Sequence, residues 1–566
     1  MIGLISATAA GAVARDRLAA AWPGRTRVYE GPVRDAVERA FGECEQLVCF
    51  LATGAVVRLL APLLAGKASD PGVVCVDEGS RFAVSLLGGH EGGANALAGE
   101  VGDVLGCAPV VTTATDARDI PGLDTLGWPV EGAVAAVTRA VLDGAPVALR
   151  ADAVWPLPPL PVVVSEEAGT VLSVSDRVGE LGPREAVLRP PSLVVGVGAS
   201  KGASVDEVLA LVGEALAGAG LSPLSVAELA TVDAKAEEAG IVGAAARLGV
   251  PLRTYAAEVL ARIDVPNPSD APLAAVGTPS VAEAAALAGG GELLVPKRKS
   301  SRPDGLPAMA TCAVVRRAPR GRLAVVGLGP GARDLLTPRA KAELRRASVL
   351  VGLDQYVDQI RDLLRPGTTV LESGLGAEEE RARTAVAEAR KGHAVALIGS
   401  GDAGVYAMAS PALAEASDDI DVVGVPGVTA ALAAAAILGA PLGHDHVSIS
   451  LSDLHTPWEV IERRVRAAAE ADIVVTFYNP RSRGRDWQLP KALGILAEHR
   501  TASTPVGVVR NASRVDESSR LTTLGALDPT TVDMMTVVVV GNTAAREIAG
   551  RMVTPRGYRW QTEAAK

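Results

Sequence analysis

The sequence predicts an α/β protein made of several parallel or mixed sheets, and three observations carry that expectation. Short Val-rich runs recur along the chain: LVCFLA at 47–52, VVCV at 73–76, LVVGVG at 193–198, LAVVGLG at 323–329 and VVVVG at 537–541. Such runs read as buried strands, and the longer Ala/Leu/Arg stretches between them read as helices, the alternation of helix-covered sheets. At 566 residues the chain has room for about three to five domains.

A hydrophobic share of 48% against 21% charged residues suits a globular protein with real cores. With only 3% aromatic residues, those cores have to be built from Ala, Val and Leu. The formal charge of -10 lacks the basic face that a nucleic-acid partner requires. The cysteines, Cys44, Cys49, Cys75, Cys107 and Cys312, are odd in number and form no CxxC pair. Neither a disulfide framework nor a protein-bound metal is therefore expected. The first residues, MIGLISATAAGAVARDRL, lack the basic n-region of a signal peptide, which makes the cytoplasm the expected compartment. Residues 422–443 carry no charge over 22 positions, enough to cross a bilayer. Pro426, Gly427 and Pro441 around an alanine-rich centre argue instead for a strand, a turn and a buried helix, so no membrane partner is expected.

Two breaks divide the chain. Prolines cluster from Trp155 to Pro191, weakening regular structure and marking 155–191 as a connecting region between an α/β region at 1–154 and a domain at 192–316. The second break, Pro296 to Arg322, holds PKRKSSRPDG, one strand (ATCAVV) and RRAPRGR, and reads as a solvated linker before a separately folding region at 322–560.

In that last region Gly327, Gly329 and Ala332 match the loose GxGxxA fingerprint of dinucleotide folds, with Asp354 placed as a ribose-binding acid would be. A diphosphate, however, needs a helix that starts at the glycine turn. Here Pro330 interrupts the loop and the helix-start signal comes at Thr337-Pro338, leaving a wide Gly-Pro-Gly loop suited to a large flat ligand. A second glycine loop, Gly399-Ser400-Gly401-Asp402-Ala403-Gly404-Val405-Tyr406, follows the strand ALIG. Its glycines allow close backbone approach, and Asp402 can accept hydrogen bonds from ligand hydroxyls or an ammonium group. Thr429 reads equally as the N-cap of the AALAAAA helix.

Taken in order, VVGLGPGARDLLTPRA, VGLDQY, GSGDAGVYAM, VPGVTAALAAAAILGAPLGHDHVSISLSD, TFYNPRSRGR and MMTVVVVGN…RMVTPRGY resemble the tetrapyrrole (precorrin) methylase family over about Arg322 to Tyr558. LGAPLGHD, YNPRSRGR and TPRGY look most like its precorrin-3B C(17)-methyltransferase branch. The resemblance implies a two-domain tetrapyrrole methylase fold with S-adenosyl-L-methionine in the cleft between the domains. The implied cofactor contacts are Pro330, Gly401, Asp402, Val405, Tyr406, Thr429 and Ala430, with Tyr478, Asn479 and Thr536. The implied reaction adds a methyl group to ring carbon 17 and contracts the macrocycle. Contraction moves protons at ring positions, which makes His444 and Asp445 candidate proton carriers. Any cobalt would be carried by the substrate.

In the N-terminal half, Gly88-Gly89-His90-Glu91-Gly92-Gly93-Ala94-Asn95 is a glycine-flanked loop opening onto an Ala-rich helix. Amides at that helix start would favour an anionic arm, His90 can move protons near neutral pH, and Asn95 can orient a carbonyl. Asp116, in the TTATD run, reads either as a polar site residue or as a cap. Ser204 to Glu207 reads as a capping box. These segments, with ATGAVVRLLAPLLAGK, VVGVGASKGASVDE, ELATVDAKAEEAG and LLVPKRKS, resemble the cobalt-precorrin-5A hydrolase family through about Arg316. That resemblance implies opening of a δ-lactone on the contracted ring and release of acetaldehyde, with His90, Glu91, Asn95 and Asp116 as candidate catalytic residues. The expected partners are small-molecule tetrapyrroles, and the methylase resemblance implies a homodimer. Two other readings stay open. The N-terminal half can be a non-catalytic tetrapyrrole-binding module, or the 327–332 glycines can serve a NAD-dependent oxidoreductase.

Overall fold

Each Val-rich run supplies a strand in the computed structural model, which describes residues 1–66, 69–90, 92–118, 120–160, 162, 168–301 and 307–557. The chain divides into two compact units, Met1–Val154 with Leu160–Pro319, and Trp155–Pro159 with Arg320–Lys566.

In the first unit, β1 (Ile2–Ser6), β2 (Thr26–Val28), β3 (Gln46–Phe50), β4 (Gly72–Val76), β5 (Phe82–Leu87) and β6 (Ala108–Val110) form one sheet in the order β2-β1-β3-β4-β5-β6. β1 to β4 run parallel and β5 turns back antiparallel to β4, so the loop after β5 returns to the edge where β4 begins. A second sheet, β7-β10-β9-β8, is made from β7 (Val130–Gly132), β8 (Ala148–Ala151), β9 (Val171–Val174) and β10 (Glu185–Leu188). Two of its strands lie inside the proline-rich stretch expected to weaken regular structure. They form because the prolines fall outside them, and each buries a leucine, Leu172 and Leu188, completely.

The third sheet, β13-β12-β11-β15-β14, contains β11 (Leu193–Ala199), β12 (Val226–Val232), β13 (Leu252–Tyr255), β14 (Glu292–Lys299) and β15 (Ala310–Arg316). The basic run Lys297-Arg298-Lys299, read as linker, ends β14, which pairs antiparallel with β15. Ser204 caps its helix as expected, accepting from the Glu207 amide at 3.1 Å. The Glu207 carboxylate accepts from the Ser300 hydroxyl at 2.5 Å and the Met309 amide at 2.9 Å, bonds far away in sequence that pattern reading could not anticipate.

In the second unit, β16 (Arg322–Gly327), β17 (Val349–Leu353), β18 (Thr369–Ser373), β19 (Ala394–Gly399) and β20 (Asp421–Val425) form an all-parallel sheet, β18-β17-β19-β16-β20. The uncharged 422–443 stretch becomes most of β20, a loop, the helix Ala430–Leu438 and β21 (Gly439–Ala440). Among the described residues no helix is long and apolar enough to cross a membrane. Beyond it lies a mixed sheet, β22-β23-β26-β24-β25, built from β22 (His446–Ser450), β23 (Val474–Tyr478), β24 (Pro505–Arg510), β25 (Ser518–Thr523) and β26 (Thr536–Val540).

The cores are packed from Val, Ala and Leu, with Phe477 the largest side chain fully buried. All five cysteines are buried and unpaired, and burial pushes the Cys75 and Cys312 thiols up to about 12.

The buried carboxylate of Asp176 joins the segment after β9 to β15. It accepts two bonds of 2.7 Å from Arg316 and a third of 2.7 Å from the Ser192 hydroxyl. Burial works to raise this carboxyl, but the Arg316 and Ser192 bonds outweigh it and hold it below its ordinary range. Asp176→Ala should cost about 3 kcal/mol in denaturant melts, since it leaves a partly buried guanidinium only the longer contact to Glu292 at 3.5 Å. A folded value below the unfolded one stabilises fully above about pH 3.9 and is lost as pH falls through the folded value. Asp176→Asn should flatten that acid limb, and an acid limb identical to the parent's would show that the pair adds nothing.

Candidate functional site

Three neighbouring parallel strands, β19, β16 and β20, end side by side, and their C-terminal loops meet at glycines. A methyl group on Gly327 would lie 2.7 Å from the Gly401 carbonyl oxygen and 2.8 Å from the Gly427 nitrogen, and one on Gly427 would fall on the Gly401 carbonyl. Gly329 and Gly401, at φ +75° and +68°, exchange two backbone bonds of 3.0 and 2.7 Å. Asp402 ties in the third loop, accepting from the Gly404 amide at 2.8 Å and the Gly427 amide at 3.0 Å.

These contacts correct two expectations. The glycines let the loops approach one another, not only a ligand, and the Gly-Pro-Gly loop is folded against its neighbours. The amides of Leu328, Gly329 and Gly401 donate to backbone carbonyls, so none is spare for a diphosphate. The next α-helix begins only at Pro338, capped by Thr337, whose hydroxyl accepts from the Ala340 amide at 3.1 Å.

The second wall is the edge of the mixed sheet where β22, β23 and β24 end and β26 begins, with Ser450 opposite Tyr478 and Arg510 opposite Thr536. Tyr478 reaches from it to the helix Ala430–Leu438. Its phenol oxygen accepts from the Ala431 amide at 2.8 Å and shares a 2.6 Å bond with the Thr429 hydroxyl. Thr429 occupies the N-cap position, yet the tyrosine takes the capping bond. Tyr406, in the left-handed region at φ +52°, donates to the Ser448 carbonyl at 2.7 Å and packs 5.3 Å from the Tyr478 ring. Burial raises its hydroxyl above the ordinary tyrosine value. Arg514 closes the seam, donating to the Pro330 carbonyl at 2.9 Å and the Ser400 hydroxyl at 3.3 Å. Asn479 is also left-handed (φ +49°); its amide donates to the Ser450 hydroxyl at 3.1 Å, and its carbonyl accepts from Arg485 at 2.6 Å.

Gly401, Asp402, Val405, Tyr406, Thr429, Ala430, Tyr478 and Asn479 therefore lie on the facing loops of one cleft. Pro330 is buried behind it, and Thr536, also buried, donates to Asp533 at 2.7 Å, so neither offers a side chain to the opening. His444 and Asp445 do not belong to this edge. They precede β22, and the strand puts about 13 Å between His446 and Ser450. The His444 imidazole accepts from the Asp445 amide at 2.7 Å, a local turn contact. Reading the sequence missed Arg485, Arg514 and Asn511, whose buried side-chain oxygen has no partner. RNASR directly after a Val-rich strand was the available signal.

In the first unit, the glycines of the His90 loop are packed rather than open. A methyl group on Gly72 would fall on the Gly92 carbonyl, and the Gly93, Ala94 and Asn95 amides donate to the carbonyls of His90, Gly88 and Gly89. The expected anion site at this helix start is thus largely consumed by the loop. The imidazole Nε2 of His90 lies 2.7 Å from the buried Thr115 hydroxyl. Asn95 accepts from Ser85 at 2.7 Å and donates to Thr113 at 3.0 Å, fixing the loop instead of facing a carbonyl. Glu91 lies outside the described residues. Asp116 sits on the helix Ala114–Ala117, and its side chain is likewise outside them. A cavity of about 400 Å³ opens at the other end of β4, lined by Thr53, Cys75, Asp77 and apolar side chains.

The family described as Tetrapyrrole (Corrin/Porphyrin) Methylases matches residues 322–528. Cobalamin synthesis G N-terminal matches 35–116, and Cobalamin synthesis G C-terminus matches 193–315. The chain is 48% identical over 239 residues to a probable cobalt-factor III C(17)-methyltransferase of Salmonella typhimurium, covering 42% of this chain and 99% of that protein. It is 42% identical to a precorrin-3B C(17)-methyltransferase of Sinorhizobium sp, covering 42% of this chain and 97% of that protein. The crystal structure of the methyltransferase CobJ matches at 38% identity and TM-score 0.40, over 42% of this chain and all of that one.

Replacing Tyr478 with Phe removes the acceptor that caps the helix Ala430–Leu438. The expected cost is about 1 kcal/mol, read as a shift of the urea midpoint. A midpoint equal to the parent's would mean that solvent caps the helix equally well.

Proposed function

Because this chain belongs to the tetrapyrrole (corrin/porphyrin) methylases, we propose that its C-terminal part methylates ring carbon 17 of precorrin-3B or its cobalt counterpart, with ring contraction. The observation that carries this reading is the 48% identity to a C(17)-methyltransferase across nearly that protein's whole length. The cleft suits S-adenosyl-L-methionine in chemistry: its walls are glycine backbone, an acid and tyrosines. When bound, the sulfonium would supply the methyl group, the thioether leaving with the bonding electron pair. Gly401, Val405 and Ala430 would line the donor by shape, and Asp402 retains lone pairs for hydroxyl or ammonium groups beyond the two amides it already accepts. Tyr406 and Tyr478, bonded across the cleft, hold its two walls in register.

For the N-terminal part, joined to the methylase in the order of the two cobalamin synthesis G regions, we propose hydrolytic opening of the cobalt-precorrin-5A lactone with release of acetaldehyde. Thr115 would fix the His90 ring so that one nitrogen can take a proton from water beside the ester carbonyl. One observation favours the second reading, a non-catalytic tetrapyrrole-binding module: Asn95 and the first helix amides are already engaged within the loop.

Titration calorimetry of the full chain with S-adenosylhomocysteine should give saturable binding. Asp402→Ala should weaken it about tenfold or more, the loss of a charge-assisted bond of about 1.5–3 kcal/mol. Heatless titrations with a folded parent would remove the methyltransferase reading. His90→Ala is expected to abolish acetaldehyde release from the ring-contracted lactone while methyl transfer persists. Release at the parent rate would exclude His90 from catalysis, and no release by the parent itself would favour the binding module.

A further inference from the structure

Two guanidinium groups at the cleft of the second unit lack the acidic partner that Arg322 and Arg510 of the same unit have. Arg322 makes two bonds of 2.9 and 2.7 Å to Glu343, and Arg510 meets Asp533 at 2.7 Å. Arg514 instead spends its donors on the Pro330 carbonyl and the Ser400 hydroxyl. Arg485 spends its own on the Leu451 carbonyl at 2.9 Å, the Asn479 carbonyl at 2.6 Å and the Met534 sulfur at 3.6 Å. Among the described residues, neither has a carboxylate oxygen within 4.0 Å. Both are partly open to solvent, and Arg514 Nη1 donates to no described group. Neutral acceptors fix each guanidinium in place without a carboxylate in direct contact, Asp453 acting on Arg485 only from a distance.

Both rise from the mixed-sheet wall, Arg485 after β23 and Arg514 after β24, and Arg514 reaches across to the opposite one. Arg514 lies against the loop after β16, where a methyl group on Gly331 would be 2.8 Å from its Cγ. Arg485 holds the ends of β22 and β23. The loops of the same cleft expose large apolar side chains, Tyr406 at 54% and Met534 at 47%. A complementary ligand has a flat apolar body and acidic groups on its rim.

We infer that Arg514 and Arg485 are carboxylate-recognition residues that take acidic arms of the tetrapyrrole substrate, Arg485 on the mixed-sheet wall and Arg514 at the seam between the walls. This rests on the methyltransferase reading and adds to it the groups that orient the ring. Apolar contact alone leaves a disc free to rotate in its plane. Two guanidinium groups at separate points of the cleft, each binding a carboxylate through paired short bonds, remove that freedom. Because Arg514 also holds the Pro330 carbonyl, an arm bound there sets the ring against the loop expected to hold the methyl donor.

The test uses the full chain and two probes, uroporphyrin III and its carboxamide, whose arms are neutral, with binding followed by fluorescence quenching. The parent should bind the acid at least about tenfold more tightly than the carboxamide, the scale of one charge-assisted pair. Arg514→Gln and Arg485→Gln should each remove about tenfold of acid affinity and leave the carboxamide nearly unchanged, while Arg514→Lys retains most of the preference. Equal losses for both probes, or none for the acid, would overturn the inference, as would a parent that binds neither. Circular dichroism excludes variants that lose both because they unfold, and Arg514→Lys then decides the question. A parent that fails to bind S-adenosylhomocysteine overturns the methyltransferase reading itself, an outcome distinct from acid affinities that stay flat across the variants.

Discussion

The second unit is organised by the backbone contact of Gly327, Gly401 and Gly427. Strands β19, β16 and β20 are neighbours in one sheet, but neighbouring strands do not by themselves bring their exit loops to one point. Here the loops converge because Gly327 and Gly427 carry no side chain, a Cβ on either colliding with backbone of a neighbouring loop, while Gly401 supplies a left-handed turn at φ +68°. Once they converge, Asp402 can bond amides on two of them at once. The helix Ala430–Leu438 then starts where the Tyr478 phenol can reach its second amide. Tyr406 and Asn479, both left-handed, stand on the two sides of the resulting cleft.

Both units spend polar groups on holding loops in place before any ligand is considered. Tyr478, Tyr406 and Arg514 link the parallel and the mixed sheet of the second unit, each bonding to backbone or to a neutral side chain. In the first unit the Ser85–Asn95–Thr113 chain and the His90–Thr115 contact do the same for the loop after β5. A residue so engaged has a fixed orientation, which a reacting group needs, but fixed orientation alone does not distinguish a reacting group from a structural one. Asn511 differs, since its buried oxygen is left without a partner.

What was legible in the sequence was whatever depends on local pattern. The Val-rich runs became strands because burial on both faces of a helix-covered sheet asks for nothing more specific, and Thr337-Pro338 started its helix because capping is a matter of one turn. The 422–443 stretch resolved into strand, loop and helix for the same reason. What depends on residues far apart was not legible. Glu207 was read as half of a capping box, yet its carboxylate bonds to Ser300 and Met309, about ninety to a hundred positions away. The glycines were read as open toward a ligand because a sequence does not say which other backbone will lie beside them. His444 and Asp445 looked suited to the reaction by residue type, and only the direction of β22 reveals that they stand at its far end.

The order of strands in the parallel sheet has a kinetic consequence. β16, the first strand of the unit to leave a ribosome, sits between β19 and β20, which follow it by about seventy and a hundred residues. At about 5–20 residues per second, both edges of an apolar strand wait on the order of 5–20 s before the second neighbour exists. Parallel pairing over such separations is intrinsically slow, and the glycine contact cannot form until Gly427 has been made. During that interval the growing chain carries an unpaired Val-rich edge, so the yield of folded protein should be governed by what shields β16 while its neighbours are being synthesised, more than by the stability of the finished sheet.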